Sequence, residues 1–453
     1  MTRRRKRPDA QGLLGKVWAE RIHPPWRKLV RDCSGGIAVV YGFAVPVLVG
    51  LVGVSAETGT WYVAKRALQT EADAAAIGGA WQLAYGNTGN IASISLNEAK
   101  RNGFPDDGEI DVNNPPESGA YDGEERAVEV VLQTNHAALF SALFRPEATN
   151  ISARAVATIV QSGDACVLAL NRVATKALEN TGSTTVNAPD CTVASNSSSN
   201  NAVNFSGNAD LTFKSVWSAG GYQVGGSATV NLAEPAKSHM WPIDDPYADL
   251  VSNAPAGCNI NTNQNINGSK TFTPINGNLT ICNDIKITNG ANVNFLPGTY
   301  WFKGADISIE GGNVHCSTCS PGGNGVTFIF TTPASGDITK IGSITINGNG
   351  SVTLNAPSDG PFQGVLFFQD RDAPVGASAQ TAKLNGGAGT ALNGTMYFPG
   401  NTIEWSGNIG LNSTCTLLVA DEVTFIGNSG LDISNCAEQG VDLVLIQKIV
   451  LAE

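Results

Sequence analysis

From Gly35 to Ala56 the chain reads GGIAVVYGFAVPVLVGLVGVSA and carries no charge. About 20 apolar residues, rising 1.5 Å each, cross roughly 30 Å of hydrocarbon. Pro46 and the glycines suit a membrane span better than a soluble helix. The pattern predicts a transmembrane helix over 35–56. Glu57 ends the apolar run, yet no proline follows. The next stretch, TGTWYVAKRALQTEADAAAIGGAWQLA, is rich in good helix formers. Val63, Ala67, Leu68, Ala74, Ala75 and Ile77 form its apolar side, leaving Lys65, Arg66, Glu71 and Asp73 to a wetter one. Span and segment read as one rod, with Glu57 at the exit into water.

Beyond the rod the periodicity shortens. Leu96–Phe104 predicts a second helix stopped by Gly103, and the apolar HAALFSALF (136–144) predicts another. RAVEVVLQ (126–133) and NISARAVATIV (150–160) alternate like strands. Residues 57–162 thus read as a small α+β domain with helices packed on a short sheet. From about Gly163 charges thin and Asn, Gly, Ser and Thr rise. Runs such as NVNF, DISIE, VTFIF and GVLFF recur, and the pair Gly-Asn returns at Gly207, Gly277, Gly348, Gly407 and Gly427. Short β-branched strands punctuated by residues tolerant of positive φ suit a parallel β-solenoid (β-helix) over 163–453, with bend asparagines stacked along the axis. A β-sandwich or barrel is the alternative.

Charge sets a direction. Residues 1–34, a basic segment, together with Gly35 carry a net +7, and everything after carries −18. Basic residues beside a first span stay in the cytoplasm. The expected topology is therefore single-pass: the N-terminus is cytoplasmic and everything after Glu57 is exported. RRRKR could serve as a nucleic-acid patch, but next to a span its role as an anchor against anionic lipid is simpler. The acidic exported part makes nucleic acid a poor partner. The apolar core is longer than a cleaved secretory signal needs, so an uncleaved anchor is expected.

Of nine cysteines, Cys33 falls on the cytoplasmic side. Eight lie beyond the span: Cys166, Cys191, Cys258, Cys282, Cys316, Cys319, Cys415 and Cys436. An even exported set fits disulfides in an oxidising space, and pairing neighbours is the working hypothesis. In HCSTC (315–319) a structural disulfide is favoured over a redox pair or a metal site, since no fourth ligand is near and the turn-rich setting lacks a helix N-terminus.

The acid, the aromatic pair and LQTEADAAAIGGA behind a span resemble the N-terminal module of TadG-like (TadE/TadG-type) proteins of the Tad, or Flp, pilus assembly system. The matching positions are Glu57, Leu68, Gln69, Ala72, Asp73, Ala74, Ala75, Ala76 and Ala80; Glu57 stands where that family usually has Asp. CVLALN (166–171), WPIDDPYADL, LPGTYWFKGADISI and LNGTMYFPGNTIEWSGN are similar to the C-terminal region of many such proteins. The resemblance implies association with Tad/Flp pilus or secretion complex proteins. A prepilin-type leader cut after Gly36 would put Tyr41 where pilins carry glutamate, which speaks against processing. Some relatives carry a von Willebrand-type metal motif; DISNC at Asp432 lacks its last serine.

Catalytic chemistry is sparse. The acid pairs Asp244/Asp245 and Asp370/Asp372, the second flanking Arg371, could be hydrolytic carboxylates. Each is followed closely by Pro246 or Pro374, which favours turns and ion pairs. His23, His136, His239 and His315 are scattered, no HExxH or G-x-S-x-G occurs, and GSKT at Gly268 lacks the earlier glycine of a phosphate loop. Tyr300, Trp301, Phe302, Trp217, Trp241 and Trp405 could stack on a surface glycan, but alternation favours burial for most. The expected protein is not an enzyme, needs no cofactor or metal, and has membrane lipid and pilus proteins as partners. The alternative is an anchored solenoid that binds or cleaves polysaccharide.

Overall fold

The computed structural model describes residues 36–143, 147–376, 379–387, 389–407 and 412–453. The basic segment 1–34, with Cys33, and Gly35 lie outside them, as does Phe144 of the apolar run. The chain divides into two compact units, one running to Ile159 and including Ile449–Glu453, the other Val160–Lys448.

In the first unit, α1 (Gly36–Ala84) is unbroken for 49 residues despite Pro46. Among the described residues it is the one helix long and apolar enough to cross a membrane. Ile37, Val40, Phe43, Leu48, Leu51 and Val52 all stand exposed along it. Burial begins at Glu57 and becomes dense from Leu68. There the small residues Ala72, Ala75, Ala76, Gly79 and Ala80 let the backbone lie close to its neighbours. A Cβ on Gly79 would strike Ser95 Oγ of α2 (Ile91–Arg101) and Val128 of the sheet. The sheet is antiparallel. β1 (Glu109–Asn113) pairs with β2 (Ala127–His136), and β2 pairs with the first part of β3 (Thr149–Ala169). Val128, Val130, Leu132, Ala153, Ala155 and Ala157 meet α1 in one core. The last residues return to this unit: Ala452 donates to the Val156 carbonyl, and Val156 donates to that of Glu453.

Three expectations are corrected here. The second helix starts at Ile91, five residues before Leu96. HAALFSALF is not helical; His136 ends β2 and 137–143 are a loop with a single 3-10 turn, Ser141–Leu143, because Glu57 claims the amides of Leu139 and Ser141. Glu71, assigned to the wetter face, is buried, whereas Val63 is exposed. The sheet, not the helix's own periodicity, decides which face is covered.

In the second unit, among the described residues, strands line up in three parallel ladders that the chain visits in rotation. One joins Gln264–Ile266, Ile285–Ile287, Ile307–Ile309 and Ile344–Ile346. A second joins Ser269–Phe272, Asn292–Phe295, Gly312–His315 and Gly350–Asn355. A third joins Asn278–Ile281, Gly298–Lys303, Val326–Thr331 and Val365–Gln369. Like residues meet on successive rungs: Ile266, Ile287, Ile309 and Ile346 are in register, then Leu384, Trp405 and Phe425. Asparagines bond between rungs too. Asn313 donates to Asn292 Oδ1 at 3.1 Å, and buried Asn393 donates to Asn355 Oδ1 at 2.8 Å.

Order in the stack is not order in the chain. Val167–Ala169, near the start of the unit, pairs with Leu418–Ala420 near its end. Leu178 likewise pairs with Val423 on one side and Val203 on the other. The chain thus enters in the middle of the stack. It builds outward through 203–232 and restarts at the far end near 260.

Candidate functional site

Three of the motif residues of α1, Glu57, Leu68 and Gln69, fasten it to its neighbours, and Asp73 holds Gln69 in place. Glu57 is 3% exposed. Its Oε1 accepts from Leu139 N at 2.9 Å and Ser141 Oγ at 2.7 Å, and its Oε2 from Ser141 N at 2.8 Å. Leu68 is buried in the helix–sheet core. Gln69 Nε2 donates both to the Arg154 carbonyl on β3 and to Asp73 Oδ1, each at 2.8 Å. Lys65 reaches the neighbouring Ser152 carbonyl. Three polar side chains and one leucine thus fix the pitch and rotation of α1 against its sheet and loop. A buried carboxylate is tolerable here because three protein hydrogen bonds stand in for those it loses from water.

One charged cluster was missed in reading the sequence. Arg154 Nε lies 2.5 Å from Glu129 Oε1 and its guanidinium also pairs with Glu453. Glu129 further accepts from Glu117 N at 3.1 Å, Ser118 Oγ at 2.8 Å and Asn113 Nδ2 at 3.2 Å. Burial alone would push this carboxyl up; the hydrogen bonds and Arg154 outweigh it and bring it down to about 2. The only visible signal was an acid within the otherwise apolar AVEVV.

In the second unit Asp245 of one acid pair meets Arg371, which lies between the acids of the other. Asp245 Oδ2 meets Arg371 Nη1 at 2.8 Å and accepts from the Tyr397 hydroxyl at 2.9 Å. Asp370 Oδ2 accepts from Ser252 at 2.5 Å and Thr331 at 2.8 Å. Asp244 and Asp372 are exposed. Asp245, Tyr247 and Ser252 belong to a segment laid along the third ladder. Ile243 exchanges hydrogen bonds with Asn196, Tyr247 meets Thr395, Ser252 meets Asp370, and Lys303 donates to Pro255. Rising numbers in this strap meet rungs in their order along the stack. Burial drives the Tyr397 phenol far above its ordinary value, with the Asp245 carboxylate adding to it. Burial also pushes Tyr247 up to about 12. These groups fasten a strap, and each candidate carboxylate that is partly buried already has its partners.

The aromatics divide as alternation requires, but both faces are covered. Tyr300 and Phe302 lie in the core between the ladders, while Trp301 packs outward among Ile329, Phe362 and residues of the strap. Trp217 and Trp405 are buried and Trp241 is half exposed. No continuous aromatic platform results from this set.

The cysteines form four disulfides: Cys166–Cys191, Cys258–Cys282, Cys316–Cys319 and Cys415–Cys436. The bond between Cys316 and Cys319 withdraws both thiols from any metal set around His315. Separations of 25, 24 and 21 residues in the other three match the step between rungs, such as Ile260 to Ile281.

Residues 35–82 match the model of a family described as putative Flp pilus-assembly TadE/G-like. The match spans the apolar run, Glu57, Leu68, Gln69 and Asp73, so the likeness to that family rests on the N-terminal segment. No curated protein and no solved structure matches the chain.

Proposed function

We propose that this chain is a non-catalytic, membrane-anchored component of Tad/Flp pilus assembly or of an envelope attachment machinery. Residues 36–56 cross the inner membrane once with the N-terminus inside, and the chain from Glu57 onward lies on the extracytoplasmic side. The β-rich unit is a parallel β-solenoid that presents a rigid, disulfide-braced body to pilus proteins or a surface glycan. The observation that carries the reading is the coincidence, within 35–82, of the family match, the exposed apolar helix and the fastening residues. The swing from +7 to −18 across the span supports the orientation. Against a polysaccharide-cleaving role stands the engagement of Asp245 and Asp370 by the strap and its anchor points.

Deletion of the protein tests the function: pilus number and surface attachment are expected to fall, and unchanged values would overturn it. A carboxyl-terminal reporter active only outside the cytoplasm tests the orientation. Reducing-sugar release that Asp370→Asn abolishes would replace this reading with the enzymatic one.

A further inference from the structure

The loop 137–143 departs from the expected helix and leaves large apolar side chains uncovered. Leu139 is 65% exposed and Leu143 is 74% exposed. Their place along α1 is set by two contacts. The Glu57 carboxylate grips the amides of Leu139 and Ser141. Phe140, between them, packs against α1 at Gly53, where a Cβ would stand 2.3 Å from the ring's Cδ2. Gly53 is four residues before Glu57, hence ~6 Å further back along the apolar run. The loop therefore overlaps the last turn of the span. On the other side of Glu57 come half-buried Trp61 and exposed Tyr62, with the Arg66 guanidinium 5.8 Å from the Tyr62 ring centre. Aromatic rings followed by basic side chains are the composition of the headgroup region.

We propose that residues 137–143 are a second membrane contact, a monotopic wedge whose Leu139, Phe140 and Leu143 enter the outer edge of the hydrocarbon beside α1. This rests on the transmembrane reading of 36–56. Lipid is the occupant the geometry favours, because the loop's apolar side chains continue the exposed apolar surface of α1 at the same height. Interfacial elements with large apolar side chains sit 5–10 Å into the boundary, about the depth this overlap gives. Glu57 explains how a carboxylate survives there: the wedge's own amides and Ser141 hydroxyl satisfy it away from lipid. Gly53 supplies the flat spot that seats the Phe140 ring. The wedge fixes the tilt and rotation of the first unit over the membrane, which a lone helix does not.

The test uses the full chain in phospholipid vesicles with Cys33→Ser and oxidised disulfides. Single spin labels are placed through Leu139→Cys, Leu143→Cys, Val47→Cys in the span and Val173→Cys, an exposed site of the second unit. The expected result is an oxygen-to-nickel collision ratio at 139 and 143 several-fold above that at 173 and approaching that at 47. Values at 139 and 143 equal to 173, with 47 still high, overturn the wedge alone. A low ratio at 47 overturns the transmembrane reading and the wedge with it. Protection of 139 and 143 from both relaxants would mean a protein cover and overturn lipid as the occupant. Photolabelling of the unsubstituted chain by a phospholipid with a diazirine near the headgroup gives a second readout. Adducts within 137–143 support the wedge, and adducts confined to 36–56 refute it.

Discussion

Arg371 Nη1 stands 2.8 Å from Asp245 Oδ2, joining residues from two acid-rich motifs that lie far apart in the chain. Asp245 is the better buried of the two and also holds the Tyr397 hydroxyl. Replacing Arg371 by Ala should destabilise the second unit by about 1–3 kcal/mol, since it leaves a half-buried carboxylate short of its cation. A double-mutant cycle with Asp245→Asn should return a coupling of roughly 1 kcal/mol by thermal unfolding. Zero coupling would mean that the strap is held by its other fastenings alone.

Glu129 makes the first unit sensitive to acid. Its hydrogen bonds and Arg154 hold its folded carboxyl down to about 2, below the ordinary glutamate value. A depressed acid stabilises the fold above its unfolded value, and that contribution disappears as pH falls through the folded one. Unfolding followed from pH 6 downward should show stability falling between about 4.5 and 2, through Glu129. Glu129→Gln should flatten that part of the profile and, at neutral pH, cost about 3 kcal/mol by leaving Arg154 without its buried partner.

Gly312 opens a strand at φ 82°, and a Cβ there would stand 2.6 Å from the Ala291 carbonyl oxygen on the next rung. Both the left-handed backbone and the close approach demand glycine. Gly312→Ala should cost about 2 kcal/mol or more. Gly257, also at positive φ but with open space around it, should suffer only the backbone part.

The disulfide Cys415–Cys436 closes a loop of 21 residues between buried sulfurs. Replacing both cysteines by alanine should lower stability by about 3 kcal/mol through the loop entropy returned to the unfolded chain. Retention of the full melting temperature under strong reductant would refute a stabilising role for this bridge.

Glu57→Ala should release the loop it holds. Amide exchange at Leu139 and Ser141 should rise several-fold while the β2–β3 amides stay protected. Unchanged exchange would show that Phe140 on Gly53 is enough to seat the loop.

Much was legible locally. The apolar run is uninterrupted and needs no partner to be recognised as a long lipid-length helix. The strand character of RAVEVVLQ and NISARAVATIV follows from alternation, as does the division of Tyr300 and Phe302 from Trp301. Other features resisted for identifiable reasons. HAALFSALF has helical composition, but a carboxylate more than 80 residues earlier takes its amides. Glu71 looks polar in a helical wheel, yet a sheet and loop cover it. Glu129 is one acid among valines until Arg154 and Glu453 arrive from distant parts of the chain.

The amino-acid sequence by itself determined where apolar surface begins and ends, which short runs are extended, and where backbone must bend, because these depend on neighbours within a few residues. The tertiary structure alone decided which rung lies on which. It brought Leu168 onto Val419, laid the strap so that Asp245 found Arg371, and carried Glu453 back to Arg154. Parallel pairing links segments far apart, and many registers satisfy the same β-branched pattern. Only the simultaneous filling of the core, with its buried asparagines and strap contacts paired across rungs, separates one register from the rest.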